Sequence, residues 1–127
     1  MRQTTRAHRL LTLAYTRGGS TLQQSLLAHL FRAYFEEEKD IGSPAILAYY
    51  ADLVGLMKRE EAEEWIKGTE GEEEVKRLVA VSQGCGIRGV PFVVVDGRWA
   101  INGCQAEGEY YKVCLFILFG ELELICF

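Results

Sequence analysis

The sequence predicts an α/β protein that is mostly helical and has one β-hairpin. Three observations support this fold class. Apolar residues recur at helical spacing through most of residues 5–83. The spacing then changes to alternation in "PFVVV" (91–95) and "RWAIN" (98–102), which flank an Asp-Gly turn. Helical spacing returns in residues 106–119, and the total length of 127 residues is that of one domain.

A glycine pair separates the first two predicted helices. Residues 5–17 form the first helix, and Gly18-Gly19 ends it. The segment "STLQQ" (20–24) begins the second helix with a capping pattern. The apolar stripe of the first helix is Ala7, Leu10, Leu11, Ala14 and Tyr15. The side chains expected to face the core from the second are Leu26, Leu27, Leu30, Phe31, Tyr34 and Phe35.

Three more helices are predicted before the hairpin. Ser43 is a candidate N-cap with Pro44 at the first helical position, and Gly55 is a natural stop. A short acidic helix follows at 59–67 and another helix at 71–83. The expected buried stripes are Leu47, Tyr50, Ala51 and Val54 in the first of the three, and Val75, Leu78, Val79 and Ser82 in the last. Two ion pairs at i,i+4 spacing are expected in the last helix, Glu72 with Lys76 and Glu73 with Arg77.

The hairpin is predicted from its turn and from the proline that precedes it. A two-residue turn at Asp96-Gly97 places Val95 opposite Arg98. Pro91 opens the first strand, which is one of the few sheet positions that proline tolerates. A cis bond before this proline would leave the backbone of the preceding residue free to pair with an extended peptide. The alternative is an ordinary proline at the start of an edge strand.

Composition and charge exclude several classes of function. The net charge of −4 argues against binding to nucleic acid. Eight glutamates and one lysine lie in residues 60–74, where a solvated helical face is expected. The most apolar run, "VCLFILF" (113–119), is too short to span a membrane, and no secretory signal is visible, so a cytoplasmic location is expected. The tail "GELELICF" (120–127) suits either a strand or a frayed helix end.

The four cysteines, Cys85, Cys104, Cys114 and Cys126, predict neither a redox pair nor a metal site. None of them belongs to a C-x-x-C pair, and their spacing fits no zinc pattern. Their apolar or glycine-rich neighbours predict buried free thiols. A disulfide between Cys85 and Cys104 is not expected, because Cys104 faces Gly89 in a regular ladder and Cys85 lies four residues further along.

Three segments resemble the FrnE-type branch of DsbA-like thioredoxin-fold oxidoreductases. "GIRGVPFVVVDGRWAINGCQ" (86–105) is similar to the G-I/V-x-G-V-P-F-F-V/I-I/V-D/N segment of that family. "LFRAYFEEEKDIGSPAILAYYADLVGL" (30–56) resembles its helical insertion, with the signature L-F-x-A-Y-F followed by D-I-G/S. "QTTRAHRLL" (3–11) is similar to the N-T-x-x-A-H-R-L stretch that enters this insertion. The three segments stand in family order and at family spacing, and the resemblance covers residues 3–114.

The resemblance implies a partial thioredoxin-like fold with a helical insertion. Residues 20–83 would form most of the insertion, and residues 89–119 the closing hairpin and last helix. Residues 1–127 would be a single DsbA-like domain without its N-terminal half, because the family's strand, C-x-x-C helix and second strand precede the segment matched by 3–11. Pro91 would be the family's cis-proline. The substrate-binding residues implied by the resemblance are Gly89, Val90, Pro91 and His8.

The implied activity is exchange with disulfides of proteins or of glutathione. Because no cysteine belongs to a C-x-x-C pair, we expect no catalytic residue in this chain and no activity from it alone. Glutathione is expected only as a substrate, and no cofactor is expected. One alternative is a non-catalytic remnant that binds an extended peptide or partner at the Pro91 edge, or a homodimer formed through exposed strand edges. Another is a fragment related to glutathione-dependent kappa-class transferases and 2-hydroxychromene-2-carboxylate isomerases, whose catalytic serine would also lie upstream.

Overall fold

The computed structural model describes residues 3–119, which divide after Val81 into two compact units. The elements are α1 (Gln3–Phe35), α2 (Pro44–Leu53), α3 (Arg59–Lys67), α4 (Glu72–Gly84), β1 (Phe92–Val95), β2 (Trp99–Asn102) and α5 (Glu107–Phe119). This order confirms the predicted fold class. None of the helices described is long and apolar enough to cross a bilayer. The tail 120–127, with its two alternative predictions and Cys126, lies outside the described residues.

The long helix α1 is interrupted at the predicted glycine pair. Gly18 and Gly19 both have non-helical backbone angles, and Gly19 has φ 65° and ψ −161°. Only glycine adopts this region readily, because a Cβ atom would meet the neighbouring backbone. The Gln23 side chain spans the bend and donates a hydrogen bond to the carbonyl of Leu11 at 3.2 Å. The prediction of two helical segments is therefore confirmed.

The core of the first unit lies between α1, α2 and the segment that contains α3. Its members are Ala7, Leu10, Ala14, Leu26, Leu30, Ala33, Leu47, Ala48, Tyr50, Ala51, Leu56, Met57, Ala62 and Ile66. Pro44 occupies the first turn of α2 as predicted, although Ser43 makes no side-chain capping bond. Gly55, with φ 77°, follows the end of this helix.

The predicted core face of the second segment of α1 is partly wrong. Leu26 and Leu30 are buried, but Phe31, Tyr34 and Phe35 are 55%, 54% and 73% exposed. The buried line continues from Leu30 to Ala33, because only that side of the helix faces α2. The three exposed rings pack on one another instead, with ring centroids 5.9 Å apart for Phe31–Phe35 and 4.9 Å for Tyr34–Phe35.

The predicted buried stripe of α4 is also wrong. This helix has no buried residue, and Leu78 and Val79 are 42% and 50% exposed. The core of the first unit is already closed by α1, α2 and α3, so α4 contributes no side chain to it. Its ion pairs have i,i+3 rather than i,i+4 spacing. They join Lys76 to Glu73 at 2.6 Å and Arg77 to Glu74 at 2.7 Å.

The hairpin of the second unit has a different register from the one predicted. β1 and β2 are antiparallel, and Val95 lies opposite Trp99 rather than Arg98. Asp96 and Gly97 both have left-handed backbone angles, with φ 53° and 64°. The N–H of Arg98 donates to the carbonyl of Val95 at 3.2 Å within the turn. Strand pairing resumes at Trp99, one residue later than predicted. The turn therefore has three residues, and the two-residue turn was a wrong prediction.

One face of the hairpin packs against α5. The ring of Trp99 contacts Phe116 edge to face, with centroids 4.7 Å apart. Ile101 and Val113 are buried, with 5% and 7% of their surface exposed. Val94 belongs to the opposite face, because successive strand residues alternate, and it is 55% exposed. The second unit thus has a small core on one side of its sheet.

Candidate functional site

The loop before β1 contains three of the predicted substrate-binding residues, Gly89, Val90 and Pro91. The chain leaves α4 in a tight turn, in which the N–H of Gly86 donates to the carbonyl of Gln83 at 3.0 Å. Gly86 has φ 78°, a conformation that favours glycine. This turn redirects the chain from the helix towards the strand and leaves the following loop exposed.

Val90 presents its backbone at the most open point of this loop. Its exposed fraction is 92%, and the Val90–Pro91 peptide bond is cis. No group among residues 3–119 forms a hydrogen bond with the backbone of Val90. By contrast, the carbonyl of Pro91 accepts a hydrogen bond from the N–H of Gly103 at 2.9 Å. The loop is therefore tied to the hairpin at Pro91, while the N–H and C=O of Val90 have no partner in the described part of the chain.

The sheet beside this loop has unpaired edges. β1 pairs only with β2 in the described part of the chain, so each strand has one edge without a neighbour. Such an edge carries a row of N–H and C=O groups that can pair with another extended chain. The exposed side chain of Val94 stands on the open face of the same strand. The geometry therefore suits the binding of an extended peptide.

The cysteines near the loop differ from the prediction. Cys85, Cys104 and Cys114 are exposed free thiols, so the prediction of buried thiols is wrong for these three. Cys85 and Cys104 follow glycines in loops at the surface, and Cys114 follows the buried Val113 on another side of α5. Within residues 3–119, no group of three His, Cys, Asp or Glu side chains is placed to hold a metal ion.

His8, the fourth predicted substrate-binding residue, lies in the other compact unit. It is exposed on the first segment of α1, and its carbonyl accepts a hydrogen bond from the hydroxyl of Thr12 at 2.9 Å. Gly89, Val90 and Pro91 are consecutive in the second unit. A role for His8 in the same site stays a prediction.

Arg9, which was not predicted as a functional residue, is a buried cation with 2% of its surface exposed. Its guanidinium donates to the carbonyls of Glu70, Ile66 and Trp65 at 2.6, 3.2 and 3.3 Å, and lies 4.9 Å from the Trp65 ring. Burial lowers the pKa of Arg9, and Glu72 partly offsets this effect. A single arginine beside an apolar stripe gave no signal, because its partners are backbone groups about 60 residues away in sequence.

The comparison with known proteins identifies a domain family. The family model described as "DSBA-like thioredoxin domain" matches residues 1–109. The matched residues include α1 to α4, the exposed loop, both strands of the hairpin and the beginning of α5. No curated protein matches the chain.

Proposed function

Because the chain belongs to the DSBA-like thioredoxin domain family, we propose that it takes part in thiol–disulfide exchange as a member of the FrnE-type branch. The observation that carries this proposal is the family match over residues 1–109, which extends through the exposed loop and the hairpin. The proposed substrates are disulfides of proteins, and glutathione disulfide is the small-molecule substrate of the same chemistry.

The proposal divides substrate binding from the exchange itself. Exchange requires an attacking thiolate and a second thiol that resolves the mixed disulfide. The sequence has four cysteines but no C-x-x-C pair. We therefore assign substrate binding to these 127 residues, and we assign the exchange to a C-x-x-C segment outside them. The helix N-terminus of such a segment would lower the pKa of the attacking thiol.

The proposed binding mode uses the backbone of Val90. Pro91 has no N–H, and its carbonyl is already bonded to Gly103. Pairing with a substrate therefore falls on the N–H and C=O of Val90, which bond to no group among residues 3–119. An extended substrate segment would lie beside this residue as an added strand, and this mode depends little on the substrate's side chains.

An insulin-reduction assay with dithiothreitol tests the proposal. The chain alone should not accelerate the reaction. A fusion with a strand, C-x-x-C helix and strand from a FrnE-type relative, placed before Thr4, should accelerate it. In this fusion Val90→Pro removes the backbone donor and should lower the rate, whereas the control Val90→Ala keeps the donor and should not. Glutathione disulfide serves as the second substrate in both arms.

Two results of this assay would contradict the proposal. Acceleration by the chain alone would show that its own cysteines carry out exchange. A folded fusion without activity would show that these residues do not complete an oxidoreductase. Sequencing the full-length transcript gives an independent test, because an in-frame C-x-x-C before Met1 supports the proposal. A serine at the same place would favour the transferase and isomerase relatives instead.

The unpaired sheet edges favour a second candidate function, the binding of a partner strand without catalysis. A second copy of this chain is the simplest partner, and the exposed side chain of Val94 would lie beside side chains of the added strand on the same face of the extended sheet. Sedimentation velocity over a concentration series should then show a dimer that Val94→Lys weakens. Val79→Lys, at an exposed valine on α4, should have no effect. A monomer at every concentration would contradict pairing between copies.

A further inference from the structure

A cleft of ≈ 630 Å³ lies in the first compact unit. It is bordered by the start of α1, the end of α3 with its following loop, and the first turns of α4. The positively charged and hydroxyl side chains in its wall are Arg6, Arg9, Lys67, Lys76, Thr5 and Thr69. Glu72 is the one carboxylate among the lining residues of the described chain. Four cations thus meet one anion in a chain whose net charge is −4.

Helical spacing explains why these side chains converge. Thr5 and Arg9 are four residues apart on α1, and Glu72 and Lys76 are four residues apart on α4, so each pair shares one helix face. Arg9 also holds the carbonyls of Ile66 and Glu70, which brings the end of α3 and the following loop to the same place. The cleft is therefore built by contacts of the core and is not a chance arrangement of surface charges.

The two lysines of the cleft are available to a ligand. Lys67 pairs with Glu63 at 2.8 Å and Lys76 pairs with Glu73 at 2.6 Å, in each case within one helix. All four side chains are substantially exposed, and exposed pairs of this kind stabilise a helix little. An anion in the cleft can replace these glutamates at small cost.

Among residues 3–119, neither arginine of the cleft forms a salt bridge with a carboxylate. Arg6 donates to the carbonyl of Gly42 at 3.1 Å, which engages one of its N–H groups. Arg9 donates only to carbonyls, and within residues 3–119 it forms no ion pair. Glu72 and Glu70 compensate the burial of the Arg9 charge only in part, because its pKa stays below the usual value, and a bound anion would offset more of that cost.

We propose that this cleft binds a compact polyanion, a small molecule with two or more phosphate or carboxylate groups. The volume falls within the range of about 300–1,000 Å³ that is typical of small-molecule sites and is larger than a single phosphate requires. Cations from three separate segments can contact more than one anionic group at once. This inference concerns the helical unit and is independent of the substrate loop before β1.

Isothermal titration calorimetry of the full chain with pyrophosphate, citrate and inorganic phosphate tests this inference. We expect saturable binding of pyrophosphate or citrate that is tighter than that of inorganic phosphate. Lys76→Gln should weaken binding about tenfold, as the loss of one charge-assisted hydrogen bond predicts. Arg6→Gln should act in the same direction. Arg77→Gln is the matched control, because Arg77 forms the same kind of i,i+3 pair on α4 but does not line the cleft.

The probes distinguish the two anion chemistries. Binding of pyrophosphate alone assigns the cleft to phosphoryl groups, and binding of citrate alone assigns it to carboxylates. The inference would be overturned if none of the three probes showed saturable binding at concentrations up to about 10 mM, because a specific site would bind more tightly than that. It would also be overturned if Arg77→Gln weakened binding as much as Lys76→Gln, because the effect would then be one of general surface charge.

Discussion

Arg9 connects the start of α1 to the end of α3 through three carbonyl oxygens. We expect Arg9→Met to destabilise the fold by about 2–4 kcal/mol, because it removes bonds to a charged donor and leaves buried acceptors without partners. The apolar methionine keeps much of the side-chain volume, so lost packing contributes less. Chemical denaturation followed by circular dichroism measures this change.

Arg17→Met is the control for this substitution. Arg17 lies on the same helix but is exposed, and its bond to the carbonyl of Leu56 is long, at 3.5 Å. We expect its removal to change the free energy of unfolding by no more than about 0.5 kcal/mol. Equal effects of the two substitutions would show that the buried network around Arg9 does not hold α3 in place.

Glu37 makes the stability of the folded state depend on pH in the acidic range. It accepts a hydrogen bond from Lys39 at 2.6 Å and one from the Tyr50 hydroxyl at 3.3 Å. The Lys39 bond holds the pKa of Glu37 below its usual value and raises the pKa of Lys39. A lowered carboxyl pKa stabilises the folded state above the unfolded-state pKa, and this contribution is lost as the pH falls through the folded-state pKa. Lys39 also stabilises the folded state, and that stabilisation is lost only as the pH rises through the raised folded-state pKa of Lys39.

We therefore expect Glu37→Gln to lower the urea midpoint near neutral pH and to have a smaller effect at acidic pH, because the contribution of the carboxylate is lost as the pH falls through its lowered folded-state pKa. Glu64→Gln is the control, since Glu64 is exposed on α3 and its side chain forms none of the ion pairs described here. A difference between the parent chain and Glu37→Gln that is the same at both pH values would contradict the assignment.

The bend in α1 depends on the backbone of Gly19. Its φ of 65° and ψ of −161° are open essentially to glycine alone. We expect Gly19→Ala to destabilise the protein by about 1–3 kcal/mol through the local backbone alone, because a Cβ atom there would meet no atom within 4 Å beyond its chain neighbours and the nearby helix backbone. Thermal unfolding measures the effect as a lowered melting temperature.

Gly84→Ala is the control, because it replaces a glycine with alanine at a position without a strained backbone. Gly84 lies in α4, and a Cβ atom there also meets nothing within 4 Å. Because alanine favours a helix, this control should be neutral or stabilising by up to about 1 kcal/mol. If Gly19→Ala behaved in the same way, the bend would not require glycine and α1 would be able to straighten.

The helices were predictable because their signals are local. The glycine pair of α1 and Pro44 at the start of α2 act within one turn of the chain, and both were assigned from the sequence. The exposed Phe35 was not predictable, because a long apolar surface on one helix does not show which side the next helix covers. The hairpin register depended on whether the ladder resumes at Arg98 or at Trp99, which the Asp-Gly pair alone does not specify.

The sequence indicates only one of the two proposed binding surfaces. The loop at Val90 and Pro91 could be proposed from the sequence because its motif is contiguous, and within residues 3–119 the backbone of Val90 has no hydrogen-bond partner. The cleft around Arg9 and Lys76 was not identified, because its cations come from three segments and each segment alone is an ordinary charged helix end. Only the fold brings those charges together.

The two compact units differ in the size of their cores. The first contains all fourteen residues of the main hydrophobic cluster. In the described part of the second unit, the buried apolar residues are Ile101 and Val113. A two-stranded hairpin with so little buried surface is marginally stable. Amide exchange reports such local differences, because it requires local opening of the structure.

Hydrogen exchange by mass spectrometry tests this difference and links it to the proposed function. In the chain alone, the amides of α1 and α2 should exchange more slowly than those of β1 and β2, by at least about tenfold. In the fusion with a C-x-x-C segment, the added strands would pair with the free edge of the hairpin. Protection should then rise in β1 and β2 while α1 and α2 remain unchanged as the internal control. Strong protection of the hairpin in the chain alone would instead indicate that its edges are already paired. If that protection also increased with protein concentration, the partner would be a second copy of the chain.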